Sequence, residues 1–278
     1  MFYLILAILS GTANSLIFRV SGGRVKSKFS MLAANYLVCL GLALFYLFPA
    51  PLVPRDPGLS RTALLGLING FLFLCGFVMI QRNTRVHGVV LTAIFSRLGV
   101  LVPTALAVTL FHEIPTAAQT LGFLLALAAI LLMNLEKGAG FRGFQIALVV
   151  MLLFNGSCDA MAKVYEQFGS PALSEHFLVY SFFFALLFNV LLVLYKGERP
   201  GLADFCFGAL LGVPNYFVAR VLLRAVENLP AVIVYPTFSV STIVVTAAAG
   251  VILFHEKIGR RQGVAIGMIL IALVLLNV

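Results

Sequence analysis

Three ionisable residues stand inside stretches of the sequence that are otherwise apolar. Arg97 lies near the middle of the stretch 86–110, and Asp159 and Lys163 lie four residues apart in the stretch 143–163. Because a charged side chain at the centre of a membrane span costs roughly 2.5 to 3.5 kcal/mol on insertion scales, each should face a cavity or a partner. Such groups can bind a charged substrate, and a desolvated carboxylate such as Asp159 can carry a proton.

The charges of the second stretch share a helix face with an amide. Asn155, Asp159 and Lys163 are spaced at i, i+4 and i+8, which places all three on one side of a helix. Two interpretations stay open for each charge. Arg97 either pairs with a carboxylate of another helix, such as Asp159, or contacts an anionic group of a substrate. Asp159 and Lys163 either neutralise each other or line a cavity.

Hydroxyl groups form a stripe at helical spacing along the stretch 229–254, which includes Ser239, Thr242 and Thr246. In lipid such hydroxyls can also bond to the backbone of their own helix, so the stripe has a structural interpretation as well. The residues that we expect to contact a substrate are Asn14, Thr92, Phe95, Ser96, Arg97, Asn155, Asp159, Lys163, Asn215, Tyr216, Arg220, Tyr235 and Ser239.

The composition identifies lipid as the solvent of the elements that carry these residues. Of 278 residues, 62% are hydrophobic and 10% are charged, whereas about a quarter of an average soluble domain is charged. One helical crossing takes roughly 20 apolar residues. The sequence predicts ten helices, at about 2–19, 29–48, 61–80, 86–110, 116–135, 143–163, 174–195, 202–224, 229–254 and 260–278.

Several classes of function find no support in the sequence. The net charge of +9 comes from basic residues at the ends of apolar stretches, not from a continuous stripe, so we expect no nucleic-acid binding. The four cysteines stand singly, and the two His-Glu pairs lack the second histidine of a zinc site. Neither a nucleophile triad nor a nucleotide-binding loop is visible. We therefore predict no enzyme activity, metal or cofactor.

A long internal repeat organises the chain. Residues 110–134 return 143 residues later as 253–277, with nine of twenty-five positions identical. The polar coincidences are His112 with His255, Glu113 with Glu256, Gln119 with Gln262 and Asn134 with Asn277. The sequence thus predicts two repeats, 1–138 and 139–278. Because each has five spans, the second enters the membrane from the opposite side, as in transporters built from inverted repeats.

Shorter matches extend this repeat to the rest of both halves. Gly11-x-x-Asn14 aligns with Gly156-x-x-Asp159, and Gly66-x-x-x-Gly70 aligns with Gly208-x-x-x-Gly212. We interpret the two G-x-x-x-G pairs as faces where neighbouring helices pack closely.

The halves resemble the EamA-type units of the drug/metabolite transporter superfamily over essentially the whole chain. The resemblance is carried by Phe111-His112-Glu113 and Phe254-His255-Glu256, by Leu229-Pro230-Ala231, and by the closing run from Gly263 through Gly267. It implies ten helices and a central cavity lined mainly by helices 1, 3, 4, 6, 8 and 9. Helices 5 and 10 would lie at the periphery, and the implied activity is export or exchange of small metabolites.

We therefore expect an all-α integral membrane protein, with ten transmembrane helices arranged as two inverted five-helix repeats around a central cavity. It would be a secondary active transporter of a small anionic or zwitterionic metabolite, such as an amino acid or organic acid, working by alternating access. A lipophilic-cation exporter of the same superfamily, and a lipid flippase or channel, are the alternatives. We expect a monomer or homodimer in a bacterial or archaeal inner membrane, with coupling to a proton or a counter-substrate left open.

Two signals in the sequence predict opposite orientations of the termini. Lys and Arg number five on the side of the termini and thirteen on the other side, with Arg97 between them. The positive-inside rule then places both termini outside, whereas the resemblance implies termini in the cytoplasm.

Overall fold

The computed structural model describes residues 2–134, 146–254 and 260–277. These residues form ten α-helices and two short 3-10 helices, and no strand is found among them. The α-helices are α1 (Phe2–Ser21), α2 (Lys28–Leu47), α3 (Leu59–Arg97), α4 (Leu101–Thr109), α5 (Ala117–Asn134), α6 (Ile146–Phe168), α7 (Ser174–Lys196), α8 (Leu202–Asn228), α9 (Ala231–Phe254) and α10 (Arg260–Leu276). The predicted boundary between the repeats, at 138 and 139, lies outside the described residues.

Seven segments of these helices are long and apolar enough to cross a bilayer. They are Phe2–Ser21, Lys28–Leu47, Leu59–Val86, Ile146–Phe168, Pro171–Lys196, Leu202–Asn228 and Ala231–Leu253. Three shorter apolar helices are Phe95–Thr109, Ala117–Leu132 and Gly263–Leu276. The all-helical membrane architecture expected from the composition is confirmed.

The predicted break between residues 80 and 86 was wrong. Helix α3 continues to Arg97, and the interruption is a 3-10 turn at Leu98–Val100. The polar residues at the predicted break belong to the helix, and Asn83 Nδ2 donates to the carbonyl of Met79 one turn earlier and to that of Ala147 on α6, at 2.9 and 3.2 Å.

The interruption at Leu98–Val100 is explained by Pro103, four residues after Gly99. Pro103 has no amide hydrogen to donate to the carbonyl of Gly99, and its ring crowds that carbonyl, so the regular α-helical hydrogen bond is missing at this point. The interruption therefore comes directly after Arg97, a candidate site residue.

The chain divides into two compact units, each containing segments of both sequence halves. Unit 1 comprises Met1–Leu74 and Met161–Glu227, and unit 2 comprises Cys75–Ala160 and Asn228–Val278. In unit 1, α2 packs along α7. In unit 2, α5 packs along α10 and α4 packs on α9. Small side chains let the helices of unit 2 approach closely, and the core there includes Ala126, Ala129 and Ala272.

The two G-x-x-x-G pairs lie at close helix crossings within unit 1, as predicted. A Cβ atom on Gly66 would lie 2.6 Å from the Cβ of Tyr180 on α7, and one on Gly70 would lie 2.7 Å from the Cβ of Phe184. Each distance is far shorter than an ordinary van der Waals contact, so α3 can approach α7 this closely because both positions lack a side chain.

The pair on α8 makes the equivalent contact with α2. A Cβ atom on Gly208 would lie 2.2 Å from the carbonyl oxygen of Met31, and one on Gly212 would lie 2.7 Å from that of Asn35. The first half thus contributes the glycine helix to one crossing, and the second half contributes it to the other.

Replacing Gly208 by alanine should lower the free energy of unfolding by about 1–3 kcal/mol, because the new methyl group overlaps a backbone oxygen and the helices must separate. The matched control is Gly41→Ala in α2, where a Cβ atom would meet nothing within 4 Å. That change should stabilise by up to about 1 kcal/mol through helix propensity. Unfolding titrations in detergent measure both, and equal stabilities of the two variants would contradict the crossing.

Candidate functional site

A pair of opposite charges lies in unit 2. Arg97 is the last residue of α3, Asp159 lies in the middle part of α6, and the two side chains attract each other electrostatically. Asp159 is exposed and Arg97 is half-buried. An exposed carboxylate within a membrane span is costly against lipid, so we infer that Asp159 faces a space that water or a solute can enter.

A contact between two glycines brings these charges together. A Cβ atom on Gly156 would lie 2.4 Å from the carbonyl oxygen of Gly99, so at this point the backbone of α6 touches the 3-10 turn after α3. Arg97 precedes Gly99 by two residues, and Asp159 follows Gly156 by about one helical turn. The attraction therefore depends on a helix contact that no larger residue permits.

An unsatisfied amide lies one turn before the carboxylate. The Nδ2 of Asn155 is buried and has no hydrogen-bond partner among the described residues, while its Oδ1 faces Gly76, where a Cβ atom would lie 2.6 Å away. Buried amide donors are normally paired because an unpaired one costs about 1–3 kcal/mol. Asn155 is therefore a donor that a bound solute could satisfy.

The other candidate residues of unit 2 lie on α3 and α9. Thr92 and Tyr235 are buried, and Phe95, Ser96 and Ser239 are half-buried. The structural interpretation of the hydroxyl stripe holds for Thr242, whose Oγ1 donates to the carbonyl of Phe238 at 2.7 Å. It does not hold for Thr246, whose Oγ1 is buried without a hydrogen-bond partner in the described part of the chain.

Lys163 has a different ion-pair partner from the one considered in the sequence. Its Nζ lies 2.7 Å from Oε2 of Glu166, and its side chain is 7% exposed. A basic group that attracts Asp159 is Arg97. The signal for Glu166 was present in the sequence, because i and i+3 are neighbours on a helix.

Arg220, another candidate, belongs to an ion network in unit 1. Its Nη2 donates to Oε1 of Glu175 at 2.8 Å, and its guanidinium lies over the ring of Tyr46, 3.7 Å from the centroid. Arg224 contacts both Glu175 and Glu227, at 3.4 and 3.1 Å. The partners Glu175 and Tyr46 come from α7 and α2, so no spacing along α8 could have revealed them.

The remaining candidates also lie in unit 1. Tyr216 is buried and stacks on Tyr46 with ring centroids 5.7 Å apart. Asn215 Nδ2 donates to Oδ1 of Asn35 at 3.2 Å. Asn14 has a buried Oδ1 without a hydrogen-bond partner in the described ranges.

The repeated turn at His112 and Glu113 has a structural role. Glu113 Oε2 accepts a hydrogen bond of 2.9 Å from the amide of Val232, at the start of α9, where a helix has unpaired amides and a partial positive charge. Three residues later, Thr116 and Gln119 exchange side-chain to backbone hydrogen bonds at the start of α5, which is a capping box. No group of three or more possible metal ligands occurs in the described ranges.

Comparisons with known proteins bear on fold and family. Residues 143–278 match the model of the EamA-like transporter family. A solved structure titled "Crystal structure of protein" is similar to the whole chain, with a TM-score of 0.77 and 11% sequence identity. The alignment covers 100% of this chain and 99% of that chain, and at this identity it shows a shared fold alone. No curated protein matches the sequence.

If Arg97 and Asp159 stabilise each other, their substitutions should not be additive. We expect Arg97→Gln and Asp159→Asn to show a coupling free energy of about 0.5–3 kcal/mol in a double-mutant cycle of unfolding. The control cycle combines Asp159→Asn with Arg85→Gln, an exposed arginine about 18 Å earlier along the same helix. That cycle should be additive within about 0.5 kcal/mol, and equal coupling in the two cycles would count against the pair.

The cap on α9 can be tested separately. Glu113→Ala removes the acceptor and should lower the free energy of unfolding by about 0.5–2 kcal/mol. Glu113→Gln keeps an acceptor oxygen and should lose less. Thermal unfolding in detergent compares the two, and an alanine variant as stable as the glutamine variant would rule out a capping role.

Proposed function

We propose that this chain is a secondary active transporter of a small zwitterionic or anionic metabolite. Residues 143–278 match the EamA-like transporter family, which is part of the drug/metabolite transporter superfamily. The chain is an integral, multi-pass membrane protein, as the family and the apolar helices require. The opposite charges of Arg97 and Asp159 favour amino acids as the substrate class.

The juxtaposition of Arg97 and Asp159 is the observation that carries the substrate class. An amino acid has a carboxylate and an ammonium group a few ångströms apart, and Arg97 can bind the first through two parallel hydrogen bonds while Asp159 accepts from the second. A dicarboxylate would bring a second negative charge towards Asp159. The unpaired donor of Asn155 lies on the same helix as Asp159 and supplies a further contact.

Arg220 and Lys163 have a different assignment in this proposal. Glu175 neutralises Arg220, and Glu166 neutralises Lys163, so both cations already have a protein partner of opposite charge. The Arg220 pair links α8 to α7, whereas Lys163 and Glu166 pair within α6. The sequence-based expectation that they contact the substrate stays a prediction.

The pairing of helices supports alternating access by inverted repeats. Within the units, α2 packs on α7, α4 on α9 and α5 on α10, so in these three pairs a helix contacts the one five places later. The glycine pairs add a second correspondence between the halves. Helix α3 of the first half crosses α7 of the second half, and α8 of the second half crosses α2 of the first half. Contacts between equivalent elements are expected around a two-fold axis. In the proposed mechanism the two halves rock about that axis and expose the substrate to one side at a time.

Proteoliposome counterflow tests the proposal. Liposomes containing the purified protein are loaded with candidate amino acids, organic acids or quaternary amines, and uptake of labelled substrate is followed. We expect saturable exchange of a zwitterion, a loss of at least tenfold in Asp159→Asn and Arg97→Gln, and partial activity in Arg97→Lys, which keeps the charge but not the planar fork. Arg85→Gln, an exposed change on the same helix, should transport as the unmodified chain does.

The alternatives give different outcomes in the same assay. The exposed carboxylate of Asp159 would also suit a lipophilic cation. Transport of quaternary amines that requires Asp159 but survives Arg97→Gln would establish that exporter and overturn the zwitterion proposal. Flux that does not saturate would indicate a channel. Full zwitterion transport in both charge variants would remove Arg97 and Asp159 from the site.

A further inference from the structure

An apolar groove lies between α2 and α7 in unit 1, apart from the residues discussed so far. Its volume is about 330 Å³. Ala33 and Leu37 on α2 line one side, and Leu186, Val190 and Leu194 on α7 line the other. The hydroxyl group in the lining belongs to Ser30, and its oxygen lies within hydrogen-bond distance of the hydroxyl oxygen of Ser27, at 2.8 Å. The groove therefore suits a hydrocarbon chain.

The groove runs from one end of the two helices towards their middle. Along α2 its lining extends from Ser30 to Leu37, and along α7 from Leu194 back to Leu186. At a rise of 1.5 Å per residue these are stretches of about 10 and 12 Å. Both helices are candidate membrane spans, so this direction is that of a lipid acyl chain in the surrounding leaflet.

Positive charges surround the end of the groove at the helix termini. The adjoining segments 22–30 and 196–204 carry five basic residues, and all five are exposed. These residues are Arg24, Lys26, Lys28, Lys196 and Arg199. The two segments adjoin each other, since Lys196 Nζ lies 4.0 Å from the ring centroid of Phe29.

The acidic residues of these segments are directed towards the protein itself. Asp204 is fully buried and accepts hydrogen bonds from the amides of Lys26, Ser27 and Gly201, at 2.8, 3.2 and 2.9 Å. Glu198 accepts a hydrogen bond from the hydroxyl of Ser27. The charges that this end presents to the surroundings are thus the basic ones.

We propose that the groove between α2 and α7 is a binding site for an anionic phospholipid. One acyl chain lies in the groove between Leu37 and Val190, and the phosphate lies against Lys28, Lys196 and Arg199. A basic cluster beside membrane helices raises the association constant of anionic headgroups about fivefold per Lys or Arg, and the effect falls with salt. The apolar groove alone would take any lipid, and the cations supply the selectivity.

The absence of tryptophan from the sequence permits a direct test. Tyr195→Trp places a single reporter at an 88% exposed position between the groove and the basic end. The protein is reconstituted into mixed vesicles of phosphatidylglycerol and phosphatidylcholine, with brominated chains on one lipid or the other to quench the fluorescence. We expect the association constant for phosphatidylglycerol to be about five times that for phosphatidylcholine or more, which corresponds to the contribution of at least one Lys or Arg.

Variants separate the headgroup from the acyl chain. Lys196→Gln combined with Arg199→Gln should bring the relative association constant close to one. Val190→Phe should fill the groove and reduce quenching by both lipids. The control is Arg55→Gln, an exposed arginine beyond the opposite end of α2, which should leave the preference unchanged. Thermal unfolding of each variant in detergent verifies that the fold is retained.

Several outcomes would overturn the site. One is equal quenching by the two brominated lipids in the protein that keeps all five basic residues. Another is a preference for phosphatidylglycerol that persists in the variant in which Lys196 and Arg199 are both replaced by glutamine. Cross-linking of two copies through the exposed Cys206, next to Phe205 of the groove, together with weak quenching by either lipid, would show that a second copy covers this face. None of these results depends on which solute the protein transports.

Discussion

Two helix backbones can touch only where neither has a side chain in the way, and the contact of Gly99 with Gly156 is the constraint on which the candidate site depends. A helix contact set by bulkier residues keeps the axes 8–10 Å apart. The glycine contact brings Arg97 and Asp159 into mutual attraction, and it occurs where Pro103 interrupts the helix. Backbone geometry and electrostatics therefore act at the same point of unit 2.

Two sets of polar side chains in the described chain, one in each unit, differ in their physical roles. In unit 1, Arg220 has a carboxylate at 2.8 Å and an aromatic ring at 3.7 Å, so its charge is largely used within the protein. In unit 2, Asp159 is exposed, and Asn155 has an amide donor without a described partner. Binding of a solute requires groups with unused capacity, which is why we assign binding to unit 2 and helix association to the ion network of unit 1.

Much of the architecture could be predicted from the sequence, because lipid imposes long apolar helices and the repeat reports the duplicated packing. The close approach at Gly66 and Gly208 followed from their spacing. The predicted break at residues 80–86 is wrong because the polar residues there continue α3, where Asn83 donates to the carbonyl of Met79. The partners of Arg220 were not accessible, because they come from other helices. The polar matches at Glu113 and Gln119 serve helix ends.

The packing of α2 on α7, α4 on α9 and α5 on α10 is the arrangement that two identical five-helix chains would make in an isologous dimer, where each element meets its own copy. In such a dimer any residue must occur twice. A single fused polypeptide is free of that restriction, and this chain makes use of it, because Asp159 aligns with Asn14 in the other half. A chain that carries both halves can thus place a titratable group at only one of two matched positions, which two identical chains could not do.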